Sequence, residues 1–262
     1  MSTHASLRAL LWDVDGTLAE TERDGHRVAF NLAFEACGVP WRWSVEEYGE
    51  LLAITGGRER LLHDMAQRGA DAPPPHEREA LARELHAIKN ARYAEQVAEA
   101  GIALREGVAE LIEEASTRGV RLAIVTTTSR ANVDVLLRRH LGAKWQQRFA
   151  ACVCGEDVQR KKPDPQAYHL ALQALGLAPL QTCALEDSPG GVAAARAADV
   201  PVVVVRSTYF ADAAIDGAVA IGPSLGSRRG WRPALEGGGG EGRVTLDDIA
   251  RWCERMELVA QH

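Results

Sequence analysis

Apolar residues follow two different spacings along this chain, and each spacing predicts its own kind of structure. Between residues 20 and 104 the apolar positions recur at helical intervals, without a strong strand pattern. One such run contains Val28 and Phe30 and stops at the turn formed by residues 37–40. Further helical patterns occupy residues 45–54, 58–67 and 76–98. We therefore expect residues 19–104 to form an all-helical insertion.

After this insertion, short apolar runs alternate with single helical patterns. The runs lie at residues 121–125, 151–153, 183–185 and 202–205. Apolar runs separated by single helices predict crossover units, and hence a parallel sheet covered by helices on both faces. We expect an α/β fold whose core comprises residues 1–18 and 105–262.

The end of the chain carries a weaker pattern. Residues 222–242 include four consecutive glycines, Gly237 to Gly240, and we interpret this segment as a flexible surface excursion. A nucleotide-binding loop is not indicated, because no strand precedes the glycines and no Gly-Lys-Ser/Thr follows them. A last amphipathic helix is predicted at residues 246–258.

Two carboxylates follow the first apolar run. Residues 10–12 predict a buried strand, which ends at Asp13 and Asp15 and is followed by Gly16. A glycine permits a sharp turn, so both acids would point into one small volume at the end of the strand. Such close carboxylates repel each other unless a cation lies between them or a reaction uses them differently. A strand followed by an ordinary Asp-Gly turn would have the same sequence.

Composition and charge narrow the classes of function. The chain has 262 residues, of which 46% are hydrophobic and 25% charged, as in ordinary globular proteins. A net charge of −6, without a long Lys/Arg cluster, argues against a nucleic-acid partner. An anionic substrate would therefore be held by a few local cations.

Cysteine spacing and hydropathy indicate the compartment. Five scattered cysteines without C-x-x-C spacing predict neither a disulfide framework nor a zinc site, and we interpret them as core thiols in a reducing compartment. The amino-terminal residues lack a signal-like apolar segment, and no apolar run approaches the ~18 residues that span a bilayer. We expect a cytoplasmic protein without a membrane partner.

Polar groups also follow the later strands. They are the hydroxyl run 126–129, the loop 161–165 with Lys162, and the pair Glu186 and Asp187. The carboxyl ends of parallel strands meet at one edge of a sheet, so these groups would converge on the first two acids. Each has an ordinary explanation by itself: a helix N-cap, a solvated loop charge or acids at a helix start. Their joint occurrence in this order indicates a site.

These four groups, D-V-D-G-T, the threonine run, K-P-x-P and L-E-D-S, resemble the ordered motifs of the haloacid dehalogenase-like hydrolase superfamily. The resemblance implies a Rossmann-like parallel-sheet core with an inserted all-helical cap domain at residues 19–104. It implies that Asp13 is the nucleophile that forms a phosphoaspartate, and that Asp15 is the general acid and then the base.

The same resemblance implies a ligand set. Mg²⁺ would be held by Asp13, the backbone carbonyl of Asp15 and Asp187, with Glu186 binding directly or through water. The phosphoryl oxygens would be held by Thr126, the amide of Thr127, and Lys162.

Further characteristic segments lie at residues 21–22, 26–31, 41–43, 55–60, 87–89 and 142–150. They resemble the CbbY branch of the superfamily, whose characterised members are xylulose-1,5-bisphosphate phosphatases. That resemblance implies substrate contacts from Glu22, His26, Arg58 and Lys89, with Arg58 at the distal phosphate. Two departures stand out: His26 lies one residue further from Asp15 than in the family pattern, and Arg58 replaces an expected lysine. Trp41 and Trp43 are expected to be packing residues.

Three functions stay open at this point. The leading one is a magnesium-dependent sugar-bisphosphate phosphatase acting on xylulose 1,5-bisphosphate. A phosphosugar mutase of the β-phosphoglucomutase type would carry the same core motifs. A catalytically silent phosphate-binding module is the third, and retention of both acids, the lysine and the acid pair argues against it. The sequence does not indicate an oligomeric state.

Overall fold

A parallel β-sheet forms the centre of the computed structural model, which describes residues 7–99, 101–235 and 242–260. Within these residues, six strands pair in the order β3-β2-β1-β4-β5-β6. The strand bounds are β1 Ala9–Trp12, β2 Arg121–Val125, β3 Ala151–Val153, β4 Thr182–Glu186, β5 Val202–Val205 and β6 Ala220–Gly222. All pairs are parallel, and Leu11 of β1 is in register with Ala123 of β2 and Ala184 of β4. The carboxyl ends of β1, β2 and β4 therefore lie side by side, which confirms the predicted α/β fold.

Helices cover both faces of the sheet. Their bounds are α1 Arg27–Ala36, α2 Val45–Leu51, α3 Gly57–Gln67, α4 Pro75–Glu99, α5 Val108–Thr117, α6 Arg130–Leu141, α7 Gln166–Leu175, α8 Pro189–Ala197 and α9 Leu246–Ala260. Leu10 and Trp12 of β1 pack in one apolar cluster with α5, α6 and α9, whereas Ala9 and Leu11 pack in a second cluster with α7 and α8. Because β1 is buried on both faces, its sequence is a continuous apolar run.

Helices α1 to α4 lie in one segment, residues 19–104, which we call the helical block. Its aromatic cluster includes Phe30, Phe34 and both tryptophans; Trp41 is 8% and Trp43 1% exposed, which confirms them as packing residues. At the junction with the core, Ala19 forms an antiparallel bridge with Leu104. The chain therefore leaves the core and returns to it at adjacent positions.

The segment after β5 differs from its predicted role as a surface excursion. Residues 220–222 form β6, and Trp231, only 3% exposed, stacks on Trp252 of α9 with 4.7 Å between ring centroids. The sequence did not indicate this strand, because Ile221 is its only large apolar residue and a glycine follows directly. The glycine run 237–240 lies outside the described residues. In the described part of the chain, no helix has the length and apolarity needed to cross a membrane.

Candidate active site

A buried ion cluster forms the floor of the site at the carboxyl edge of the sheet. Lys162 donates to Oδ1 of Asp13 at 2.8 Å, to Oε1 of Glu186 at 2.5 Å and to the carbonyl of Val125 at 2.7 Å. Tyr168 also donates to Oε1 of Glu186, at 2.5 Å. The ammonium group therefore connects the ends of β1, β2 and β4 and fixes the position of Asp13.

Asp13, Glu186 and Asp187 together fit a divalent cation. Each offers one carboxylate oxygen within 4.8 Å of the others, and all three side chains are buried. Oε2 of Glu186 is buried without a hydrogen-bond partner among the described residues. Oxygen ligands of this kind are those preferred by Mg²⁺ and Ca²⁺, and buried carboxylates are costly without a cation or a proton. The donor set thus suits a hard divalent ion.

The pKa values of these carboxyl groups reflect the cost of burying their charged forms. Burial, reinforced by Glu186 and Asp15 and opposed by Lys162, raises the pKa of Asp13 to about 8. Burial and the charge of Asp13 also raise the pKa of Asp187 well above its usual range. A bound cation would favour the charged forms and reverse both shifts.

Gly16 allows the two chain segments to meet here. Its φ is +87°, and a Cβ atom on it would lie 2.0 Å from Oδ2 of Asp187. The guanidinium group of Arg105 donates to the Gly16 carbonyl. Only glycine satisfies both the backbone conformation and the close approach at this turn.

Asp15 lies beside this cluster and contacts the helical block. Its Oδ1 accepts hydrogen bonds from Thr21 at 2.6 Å and from Nε2 of His26 at 2.9 Å. The ring of His26 stacks on Tyr93, with 4.1 Å between the centroids. Burial favours the neutral acid, but attraction to His26 and the hydrogen bonds from His26 and Thr21 outweigh it, and the pKa of Asp15 lies below its usual range. Asp15 is therefore held as a carboxylate, the form that accepts a proton.

A π-helical turn, Glu22–His26, accounts for the extra residue before His26. The N–H of Arg27 donates to the carbonyl of Glu22, five residues earlier, which is the π-helical pattern. The turn is tightly packed, since a Cβ atom on Gly25 would lie 2.9 Å from Ile102. The longer spacing is thus absorbed locally, and His26 faces Asp15.

The hydroxyl run after β2 divides between structural and site positions. Thr126 is buried, and its N–H donates to the carbonyl of Val153 at 3.0 Å. Ser129 is the N-cap of α6, accepting from the N–H of Asn132. Thr127 lines the space above Asp13 and Asp15. The structure therefore brings Thr126 and Thr127 to the floor of the site.

Two adjoining cavities lie between this floor and the helical block. The first, about 400 Å³, is lined by Asp13, Asp15, Lys162 and Asp187. The second, about 550 Å³, is lined by four cationic side chains, Arg58, Arg60, Lys89 and Lys161, and by four acids, Asp15, Glu22, Glu59 and Glu156. His86 also lines it, and burial lowers the pKa of His86 to about 4. Asp15, Glu22, Gly56, Arg60 and Thr127 line both cavities. The cavity over Asp13 thus opens directly into a second cavity that holds four cationic side chains.

The block residues named from the sequence occupy different environments. Glu22 accepts a hydrogen bond from Tyr48 at 2.5 Å. Lys89 is 3% exposed, and burial, only partly offset by Asp15 and Glu22, lowers its pKa to about 8. The Arg58 side chain is 45% exposed and pairs with Glu79 at 3.0 Å.

Arg60 was not identified from the sequence, although it is the more buried arginine of α3. It is 6% exposed, donates to the hydroxyl of Tyr48 at 2.7 Å and lies with its guanidinium carbon 4.9 Å from the Tyr48 ring centroid. Arg60 shares the buried face of α3 with Leu61 and Met65, whereas Arg58 does not. This helical spacing is the signal that distinguishes the two arginines.

Lys161 is a second residue that the sequence left unassigned. It extends from the core to the helical block, and its ammonium group lies 2.8 Å from both carboxylate oxygens of Glu59. Loop 161–165 therefore contributes one lysine to the floor and one to the contact with the block.

Comparison with known proteins places the chain among enzymes. A family model described as haloacid dehalogenase-like hydrolase matches residues 7–199, which include every candidate site residue. Protein CbbY, plasmid, from Cupriavidus necator is 44% identical over 260 residues, covering 98% of this chain and 97% of the relative. Protein CbbY from Rhodobacter capsulatus is 46% identical, covering 78% of this chain and 87% of the relative.

Two crystal structures of CbbY from Rhodobacter sphaeroides are also similar. A mutant in complex with xylulose-(1,5)bisphosphate has a TM-score of 0.78 and 42% identity, and a complex with phosphate has a TM-score of 0.77 and 43% identity. Each comparison covers 83% of this chain and 94% of the other. The likeness therefore extends over most of both chains.

Proposed function

This chain belongs to the haloacid dehalogenase-like hydrolases, in the CbbY branch, and from that premise we propose that it is a magnesium-dependent sugar-bisphosphate phosphatase acting through a phosphoaspartate on Asp13. The proposed substrate is xylulose 1,5-bisphosphate, hydrolysed at C1 to xylulose 5-phosphate and phosphate. The observation that carries this proposal is the second cavity with its cations Arg58, Lys89 and Lys161 beside the cavity over Asp13, because the two offer separate places for a non-reacting and a reacting phosphate.

In the first chemical step, Asp13 attacks phosphorus. Lys162 occupies Oδ1 of Asp13, so Oδ2 is the oxygen that forms the new bond to phosphorus while the ester bond to the sugar oxygen breaks. Lys162, Thr126 and the amide of Thr127 stabilise the oxygens of the phosphoryl group in transfer. The negative charge of the bound phosphate favours the protonated form of Asp15, which donates its proton to the departing sugar oxygen.

In the second step, water attacks the phosphoaspartate. Asp15, now a carboxylate, takes a proton from the water, and the bond between Asp13 and phosphorus breaks to release phosphate. The hydrogen bonds from Thr21 and His26 hold Asp15 in this proton-accepting form. The arrangement described here therefore corresponds to the hydrolytic half of the reaction.

Magnesium would be held by the side chains of Asp13, Glu186 and Asp187 with the backbone carbonyl of Asp15. When bound, the ion offsets the negative charge of the phosphoryl group and of the carboxylates around it. Lys162 alone cannot fulfil this role, because it is shared between Asp13 and Glu186.

Residues 19–104 would act as a cap that closes the second cavity, the one lined by Arg58 and Lys89, over the substrate. Arg60, Lys89 and Arg58 are proposed to bind the distal phosphate, and Glu22 and His26 the sugar hydroxyl groups. Xylulose and ribulose 1,5-bisphosphate carry equal charges and differ at C3, so hydrogen bonds to that hydroxyl must distinguish them. A buried polar group left unpaired by the wrong epimer costs about 1–3 kcal/mol.

A phosphate-release assay tests the proposal. We expect Mg²⁺-dependent release from xylulose 1,5-bisphosphate, loss of turnover after chelation, and a kcat/KM for ribulose 1,5-bisphosphate lower by roughly 10²-fold. Comparable rates on both epimers would contradict the substrate assignment. Conversion of β-glucose 1-phosphate without phosphate release would support the mutase, and no turnover on any phosphate would support a silent binding module.

A further inference from the structure

Two of the five cysteines lie in contact at the end of β3. Cys152 is within the strand and Cys154 follows it, and their sulfur atoms are 3.5 Å apart. Residues two apart in extended chain point to the same side, which explains the contact. The sequence predicted only core thiols, but Cys152 is partly exposed.

The two thiols differ in access. Cys152 lines an open cavity of about 460 Å³, together with Arg130, Trp145 and Phe149. Cys154 has no exposed surface. A small oxidant in this cavity therefore meets Cys152 first, with the second sulfur directly behind it.

The two thiols also differ in acidity. The hydrogen bond from Cys154, which outweighs the effect of burial and is supported by Arg130, holds the pKa of Cys152 below its usual value. The same hydrogen bond and burial raise the pKa of Cys154. Since the thiolate is the reactive form, Cys152 is the nucleophile and Cys154 keeps its proton.

The backbone around this pair is hydrogen-bonded to the hydroxyl run of the site. The carbonyl of Val153, between the two cysteines, accepts the N–H of Thr126 at 3.0 Å. The N–H of Gly155 donates to the carbonyl of Thr128 at 2.9 Å, and a Cβ atom on Gly155 would lie 2.4 Å from the carbonyl of Thr127. A change in the chain direction at Val153 therefore displaces the candidate phosphate-binding residues.

We propose that Cys152 and Cys154 form a redox site, a dithiol that a peroxide oxidises reversibly to a disulfide, and that the disulfide weakens phosphate binding through Val153 and Thr126. The second part rests on the function proposed above for Thr126. To form the bond, the sulfur atoms must approach by about 1.5 Å, since a disulfide is ~2.05 Å long.

The chemistry balances with hydrogen peroxide as the oxidant. The Cys152 thiolate attacks one peroxide oxygen, the O–O bond breaks, and the products are a sulfenic acid and hydroxide, which becomes water by taking up the proton that Cys152 released. The thiol of Cys154 then attacks the sulfenic sulfur, the S–O bond breaks, and a second water leaves with the thiol proton. Two thiols lose two electrons, and the peroxide gains them.

A disulfide here would be exchangeable rather than structural. It would enclose a single residue, Val153, so it constrains the unfolded chain very little compared with a disulfide that closes a long loop. Added dithiol therefore returns the pair to the reduced form.

Peptide mapping of the full-length protein tests the redox site without any substrate. Trypsin cleavage after Arg148 and Arg160 gives a peptide, residues 149–160, that contains Cys152 and Cys154 and no other cysteine. After peroxide treatment we expect this peptide to lose two hydrogen atoms, and to regain them with dithiothreitol. In Cys154→Ser, a trappable sulfenic acid should accumulate at Cys152. A peptide that stays reduced, or that carries only irreversible oxidation products, would overturn the proposal.

Binding of inorganic phosphate and turnover test the coupling. Oxidation should weaken phosphate binding and lower kcat/KM by about tenfold in the natural protein and in Cys37→Ser, but not in Cys152→Ser. An unchanged affinity despite complete disulfide formation would refute the coupling. A reduced protein that binds phosphate but does not release it from any ester would refute the proposed phosphatase chemistry while leaving the redox site standing.

Discussion

The floor of the site and the helical block above it are built by different means. On the floor, Lys162 donates to both Asp13 and Glu186, and the acids extend directly from strand ends. In the block, Lys89 and Arg60 are placed by helices that pack around an aromatic cluster. Strand pairing fixes one set of positions, and helix packing fixes the other.

This difference separates chemistry from substrate choice. Each strand end on the floor is held by backbone hydrogen bonds to its neighbours, so the nucleophile and its partners are pre-organised. The block touches the floor through polar contacts that include Thr21 to Asp15 at 2.6 Å, Lys161 to Glu59 at 2.8 Å and His26 to Asp15 at 2.9 Å. Variants of the floor should therefore change the rate on every substrate, and variants of the block should change the choice among substrates.

The largest effect is expected from Asp13→Asn. The amide fills the same space but cannot attack phosphorus, so turnover should fall by roughly 10³-fold or more on bisphosphate and aryl phosphate alike. The pKa of Asp13 is raised to about 8, so the metal-free protein favours the neutral acid, which asparagine resembles. The melting temperature without metal should be equal or higher. Substantial residual turnover would remove Asp13 as the nucleophile.

A smaller and substrate-dependent effect is expected from the two arginines of α3. Arg60→Ala should lower kcat/KM for the bisphosphate, because a buried charged contact is lost. The loss corresponds to about 2–3 kcal/mol of transition-state stabilisation. Arg58→Ala should cost less than about 1 kcal/mol, because Arg58 is 45% exposed and already paired with Glu79. An aryl phosphate should be hardly affected by either variant. Equal losses on both substrates would make Arg60 a structural residue, and Arg60→Lys serves as its matched control.

The next effect depends on pH and concerns Lys89. Because its pKa is lowered to about 8, the ammonium form is lost as the pH rises through that value, and KM for the bisphosphate should increase. The free energy of unfolding should also increase between about pH 8 and 10.5, since the unfolded chain binds the proton more tightly there. Lys89→Arg should flatten the KM profile. A profile that persists in this variant would assign the titration to another group.

The smallest effect is expected from the ion pair between Lys161 and Glu59. Both side chains are partly exposed, at 22% and 35%, so Glu59→Gln should raise KM only about two- to threefold. The effect should shrink at high salt because exposed charges are screened. A double-mutant cycle with Lys161→Met measures the coupling free energy. A coupling of zero, or one insensitive to salt, would contradict a role in holding the block against the core.

More of the site residues on the floor than in the helical block could be identified from the sequence. Asp13, Lys162 and Asp187 could be placed together because each follows an apolar run and parallel strands end at one edge. Their catalytic roles stay predictions until the variants are assayed. In the block, Arg58 was identified and Arg60 was not, because the choice depends on which face of α3 is buried.

Other features depended on contacts that local patterns do not contain. The burial of Trp231 requires Trp252 of α9 as its partner, and the proximity of Cys152 to Cys154 depends on their side chains in the folded strand. The sequence therefore predicted the order of the elements well, apart from the missed β6, and predicted poorly which side chains meet between them.

The π-helical turn Glu22–His26 has a consequence for the evolution of chain length. In a regular helix, one inserted residue rotates everything after it by about 100°. A π-helical turn can take up such a residue within one turn, and here His26 faces Asp15 while Phe30 of α1 faces the aromatic cluster. Arg23 and Asp24, which form the bulge, are exposed. Insertions and deletions, and not only substitutions, are therefore open to selection at this point beside the site.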